Sequence, residues 1–74
     1  MRNKIFEYNE FLPNGKDTIV RVSGEDILTL YYPFWEEQMD KKYGIGRDRS
    51  NDIKDCIEDF VIINWAWEVT NETN

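Results

Sequence analysis

Between residues 3 and 12 the chain sets Ile5, Phe6, Tyr8, Phe11 and Leu12 among polar positions. Residues 17–22 read Asp-Thr-Ile-Val-Arg-Val, and Pro13-Asn14-Gly15-Lys16 lies between the two runs. Such runs around a Pro-Asn-Gly corner predict a β-hairpin, because proline presets φ at the first turn position and Asn-Gly accepts positive φ. Strand side chains alternate, so Phe6, Tyr8, Leu12, Val20 and Val22 share one face while Phe11 and Ile19 fall on the other. The hairpin is therefore expected to be partly covered on both sides.

The period then changes. Ser23 precedes Gly24-Glu25-Asp26, where a serine N-cap and two early carboxylates suit free backbone N–H groups and the positive end of a helix dipole. Ile27, Leu28, Tyr31, Trp35, Met39 and Tyr43 recur at spacings of three or four, opposite Glu36, Glu37, Asp40 and Lys41. Lys41, Lys42 and Gly44 mark the end. Pro33 cannot donate to the Thr29 carbonyl, so one kinked helix is predicted, with two shorter helices as the alternative. A bend there would display Tyr31, Tyr32, Phe34 and Trp35 as a cluster.

Residues 44–51, Gly-Ile-Gly-Arg-Asp-Arg-Ser-Asn, read as a mobile loop ending on an Asn or Ser N-cap. Ile53, Cys56, Ile57 and Phe60 follow at helical spacing, with Asp52, Lys54, Asp55, Glu58 and Asp59 on the outer face. This predicts a short second helix ending near Asp59. From Val61 to Val69 a period of two, with β-branched and aromatic bias, predicts a third strand over 60–69. A helix continuing through 60–68 is the alternative, since no Gly or Pro separates the two segments. In the strand reading Trp65 and Trp67 share one face and pack inward on the helices; if that face instead meets solvent, they form an exposed ridge that needs a partner.

Composition narrows the function. The 74 residues carry 15 Asp plus Glu against 9 Lys plus Arg, a net charge of −6, and form a single small domain over 1–74, with 1–2 and 70–74 expected to fray. A negative chain is repelled by nucleic acid and anionic membrane. With one cysteine and no histidine, no internal disulfide, Ser-His-Asp triad or His-bearing zinc site can be assembled. No apolar run is long enough for a membrane span or signal peptide, and a reducing cytoplasm is expected. Three Trp, four Tyr and four Phe exceed what so small a core readily encloses, so some rings should reach the surface and mark a contact.

Other constellations are weaker. Gly44-Ile45-Gly46-Arg47 lacks the third glycine, the lysine and the preceding strand of a phosphate loop. Asp52, Asp55 and Asp59 share a helical face where Mg²⁺ ligation is conceivable, but a solvated acidic face explains them as well. Cys56 lies among apolar positions and reads as a packed thiol. Asn71-Glu72-Thr73 matches the glycosylation tripeptide, which has no consequence without secretion.

The segment Asp55-Cys56-Ile57-Glu58-Asp59-Phe60 through Asn64-Trp65-Ala66-Trp67-Glu68-Val69, with Ser23-Gly24-Glu25-Asp26-Ile27-Leu28 upstream, resembles a pattern in small accessory proteins of tailed bacteriophages. The likeness covers residues 23–69. It implies a viral accessory protein that works in the bacterial cytoplasm by capturing host factors, and it transfers no catalytic residue.

The expected fold is α+β: a β-hairpin, a kinked helix, a short helix and a final strand, with a three-stranded antiparallel sheet packed on helices. The expected function is non-enzymatic binding that inhibits or redirects a host or phage protein. Tyr31, Tyr32, Phe34 and Trp35 would be the anchors, and Glu36, Glu37 and Asp40 a steering ring. In an alternative, the acidic face of Asp48, Asp52, Asp55, Glu58 and Asp59 imitates phosphates and blocks a basic nucleic-acid-binding site on another protein. In a third, exposed rings bury one another across a homodimer axis in a self-assembling structural component. No cofactor, no metal, no direct nucleic-acid binding and no membrane partner is expected.

Overall fold

The computed structural model of the chain describes residues 2–69. The expectations for 70–74, including the Asn71-Glu72-Thr73 tripeptide, lie outside the described residues. The elements run β1 (Ile5–Phe11), β2 (Asp17–Ser23), α1 (Gly24–Tyr43), α2 (Asp52–Asn64) and β3 (Trp67–Val69). The fold is α+β, with an open antiparallel sheet of order β2-β1-β3.

Local chemistry builds the hairpin and the start of α1. Gly15 takes φ 84°, the Leu12 N–H donates to Lys16 O at 2.7 Å, and the Asn14 side chain accepts from the Lys16 N–H. β1 and β2 then pair in the register Phe6↔Val22 and Tyr8↔Val20. Ser23 and Asp26 form a reciprocal capping box, with each side chain accepting the other's backbone N–H at 3.0 and 3.1 Å. The Gly24 N–H donates to Lys4 O at 2.8 Å and ties the helix start to the strand beside it. Despite Pro33, α1 is one uninterrupted helix, and it stops at Gly44 with φ 99°.

The core is small. Phe6, Ile27 and Ile57 bury against one another from β1, α1 and α2, with Leu28, Tyr31 and Phe60 packed around them. Each of the three fully buried side chains contributes about 1.5–3 kcal/mol. Cys56 is fully buried beside them, as its helical spacing implies.

Three expectations are corrected. The second helix does not end near Asp59, and 60–69 is not a strand: α2 runs to Asn64 and β3 has only three residues. Phe60 decides this. Its ring packs edge-on against Tyr8 at 5.5 Å and Tyr31 at 5.6 Å, which holds the helical phase beneath the sheet. The chain turns back through Trp65, which adopts the left-handed conformation at φ 54° without a glycine. Second, Trp65 and Trp67 do not pack inward from one strand face. Trp65 is the helix cap and is 87% exposed, and Trp67 in β3 is 41% exposed. Third, the hairpin is covered on one side only. The helices lie against Phe6 and its row, and Phe11 and Ile19 on the opposite face are exposed.

Candidate interaction surfaces

The 44–51 loop, expected to be mobile, is tied to both helices by its two arginines. Arg47 donates from Nε to Asp40 Oδ1 at 2.9 Å, and from Nη1 and Nη2 to the two Asp52 oxygens at 2.6 and 3.0 Å. Arg49 donates to Glu36 at 3.0 Å, to Asp40 at 2.9 Å and to the Ile45 carbonyl at 2.8 Å. The Tyr32 hydroxyl donates to Asp52 Oδ2 at 2.7 Å, and the Trp35 indole N–H to Asp59 Oδ2 at 2.6 Å. The Arg47 guanidinium also lies 5.5 Å from the Trp35 ring centroid.

The electrostatics follow from this packing. Hydrogen bonds from Arg47 hold the Asp52 carboxyl below its ordinary range, overcoming the opposing effect of burial. The same contacts raise the Arg47 guanidinium further above its ordinary value. Burial, and then the bond to Asp52, pushes the Tyr32 phenol up to about 12. The cluster joins α1, the loop and α2, and its cations are spent on its own carboxylates. Arg47 is therefore not available to a phosphate held by the Gly44–Arg47 turn.

The sequence-predicted anchors pair off, Tyr31 with Phe34 at 6.0 Å and Tyr32 with Trp35 at 5.8 Å between ring centroids, but they differ in exposure. Trp35 is 4% exposed, between the helices. Tyr31 and Tyr32 are half-buried, and Phe34 alone of the four rings stands largely in solvent, at 57%. Within the expected steering ring, Arg49 pairs with Glu36 and both Arg47 and Arg49 pair with Asp40. Glu37 stays exposed, 3.7 Å from Lys41.

The five residues of the alternative acidic face, Asp48, Asp52, Asp55, Glu58 and Asp59, line one cavity of about 580 Å³ together with Arg47, and their carboxylates are engaged to different degrees. Asp52 is buried and Asp59 is turned to Trp35. Asp48 accepts the backbone and hydroxyl hydrogens of Ser50 at 2.9 and 2.8 Å, which lowers its pKa. Glu58 pairs with Lys54 at 3.1 Å, and Asp55 is exposed. Positions 52, 56 and 59 face α1 together, so the periodicity of α2 was legible but not which carboxylates belonged to its inner side. The missed signal is Arg47-Asp48-Arg49 itself, a pair of cations set between two acid-rich helices.

Apolar side chains left in solvent gather elsewhere. On α1, Leu30 and Phe34 stand one turn apart, both exposed. At the far end of the molecule, Phe11, Ile63 and Trp65 line a groove of about 420 Å³ with Asn9 and Asn64. The chain matches no protein-family model, no curated protein and no solved structure.

Among the described residues, no three His, Cys, Asp or Glu side chains are placed to hold a metal ion. Burial pushes the Cys56 thiol up to about 11, so it is held as the neutral thiol. Among the described residues, no helix is long and apolar enough to cross a membrane.

Proposed function

We propose that the chain is a non-enzymatic accessory protein of the bacteriophage type that binds a protein partner in the host cytoplasm and inhibits or redirects it. The observation that carries this reading is the pair Leu30 and Phe34, exposed at i and i+4 on α1. A helix that recognises a groove in another protein presents its apolar anchors at this spacing. Asp26 and Glu37 flank the pair, and the whole chain carries a net charge of −6. The fitting partner is therefore a protein with an apolar cleft rimmed by Lys and Arg, which the acidic surface would steer into register. The phage-type resemblance of residues 23–69 supports the same reading.

The test compares immobilised wild-type chain with the Leu30→Ala/Phe34→Ala double variant against bacterial lysate, followed by calorimetry with the purified captured protein. Affinity is expected to fall about tenfold or more in the double variant, as for central anchors of an interface. Unchanged affinity removes α1 as the docking element.

A further inference from the structure

We propose that the uncovered face of the sheet is a twofold interface, and that what covers it is a second copy of this chain. The register places Phe6, Tyr8, Val20 and Val22 towards the helices. Because strand side chains alternate, Ile5, Glu7, Asn9 and Phe11 of β1 point the other way. Asp17, Ile19, Arg21 and Ser23 of β2, and Trp67 and Val69 of β3, join them by cross-strand pairing. An antiparallel sheet that faces water on one side normally carries polar residues there. Here exposed Phe11, Ile19 and Trp67 stand among the polar Glu7, Asn9, Asp17 and Arg21, and the chain itself covers only the other face.

Size supports a macromolecular cover. The principal extents are 41 × 38 × 17 Å, so the molecule is a plate two layers thick with a broad exposed sheet. Phe11 is 79% exposed on this face and Trp67 41%. At about 150–250 Å² per ring, the exposed parts of Phe11 and Trp67 amount to roughly 200–300 Å². The outermost surface of Ile19, half exposed, adds to this. These apolar side chains supply somewhat under half of the roughly 800 Å² per partner of a standard interface, and the polar side chains set between them supply the remainder.

Charge selects the occupant. In a molecule of net charge −6, two copies repel unless they meet where charge is balanced. The centre of this face carries the Arg21–Glu7 ion pair, with Nη2 to Oε2 at 2.9 Å. A twofold axis lying in the interface along the strands sets Arg21 of each copy over Glu7 of the other, so the patch is complementary to itself. The helices then lie on the two outer sides, and both α1 flanks stay free.

The test is sedimentation equilibrium of the full chain over a dilution series. Wild type is expected at twice its 8.9 kDa mass in the micromolar range, dissociating on dilution. Phe11→Lys and Ile19→Lys, both at exposed positions, are each expected to raise the dissociation constant about tenfold or more with unchanged circular dichroism. Arg21→Glu alone and Glu7→Arg alone weaken association in the same way. An equimolar mixture of those two chains is expected to re-associate, because each supplies the charge the other needs, which an ion pair confined to one chain does not achieve. Three results overturn the proposal: a mass that stays at 8.9 kDa throughout, a dimer indifferent to both lysine substitutions, or a mixture that stays monomeric.

Discussion

Arg47 and Asp52 meet as a fork, guanidinium to carboxylate at 2.6 and 3.0 Å, with both side chains almost withdrawn from solvent. The bond fastens the interhelical loop to α2, and the third contact of Arg47, to Asp40, fastens it to α1. Removing either member leaves the other buried and uncompensated. Arg47→Met and Asp52→Ala are therefore expected to lower the urea midpoint clearly more than Lys54→Met, whose exposed pair with Glu58 is worth little. Equal midpoints would mean the fork adds nothing to the fold.

The same bond sets the acid limit. The folded-state pKa of Asp52 lies below the ordinary value of 3.8. Its stabilising contribution is therefore present above that value and is lost as pH falls through the depressed one. Asp48, held by Ser50, acts in the same direction. Acid titration followed by circular dichroism should show Arg47→Met unfolding at a higher pH than wild type.

On the alkaline side the sign is reversed. The Tyr32 phenol is raised from 10.0 to about 12 and the Cys56 thiol from 9.0 to about 11. The unfolded chain ionises first in both cases. These contributions are complete below the unfolded values and disappear as pH rises through the folded ones. Ultraviolet titration is expected to show a late-ionising tyrosine that is missing from Tyr32→Phe. At pH values near the ordinary thiol value, a disulfide reagent should modify Cys56 only at the rate of opening; immediate reaction would contradict its burial.

Trp35→Phe keeps an aromatic ring between the helices but deletes the indole N–H that donates to Asp59 at 2.6 Å. A hydrogen bond to a charged group contributes about 1.5–3 kcal/mol, and that loss is expected in denaturant unfolding. A loss near zero would show that water replaces the bond without cost.

Trp65 occupies left-handed backbone at φ 54° while its ring stands in solvent. A non-glycine residue there costs about 1–2 kcal/mol, and glycine returns part of the gain as greater freedom in the unfolded chain. Trp65→Gly is expected to raise stability by less than about 1 kcal/mol, which thermal melts measure.

The features readable in the sequence are those satisfied within a few residues. Asn14-Gly15 closes the hairpin, Ser23 and Asp26 cap each other across one turn, and Gly44 ends α1. The depth of Cys56 and Ile57 was also legible, because helical spacing alone places them on the inner stripe. Residues 60–69 were not, since their apolar positions satisfy periods of two and of 3.6 alike. Only the seat of Phe60 between Tyr8 and Tyr31 selects the helix.

The candidate site was legible in composition and illegible in place. Excess rings and acidity are properties of the chain, and they pointed to Phe34 and Glu37 along with five neighbours that the fold draws inward. Trp35 meets Asp59 across 24 positions, and Arg47 meets Asp40 and Asp52 on two different helices. Such partners are chosen by how the helices dock, a long-range outcome that local propensity does not encode. The sequence by itself determined where the chain turns, caps and alternates, because those steps are local hydrogen bonding and sterics. Only the tertiary structure decided which carboxylates are neutralised and which rings remain in water, because both depend on surfaces that exist once distant segments have packed.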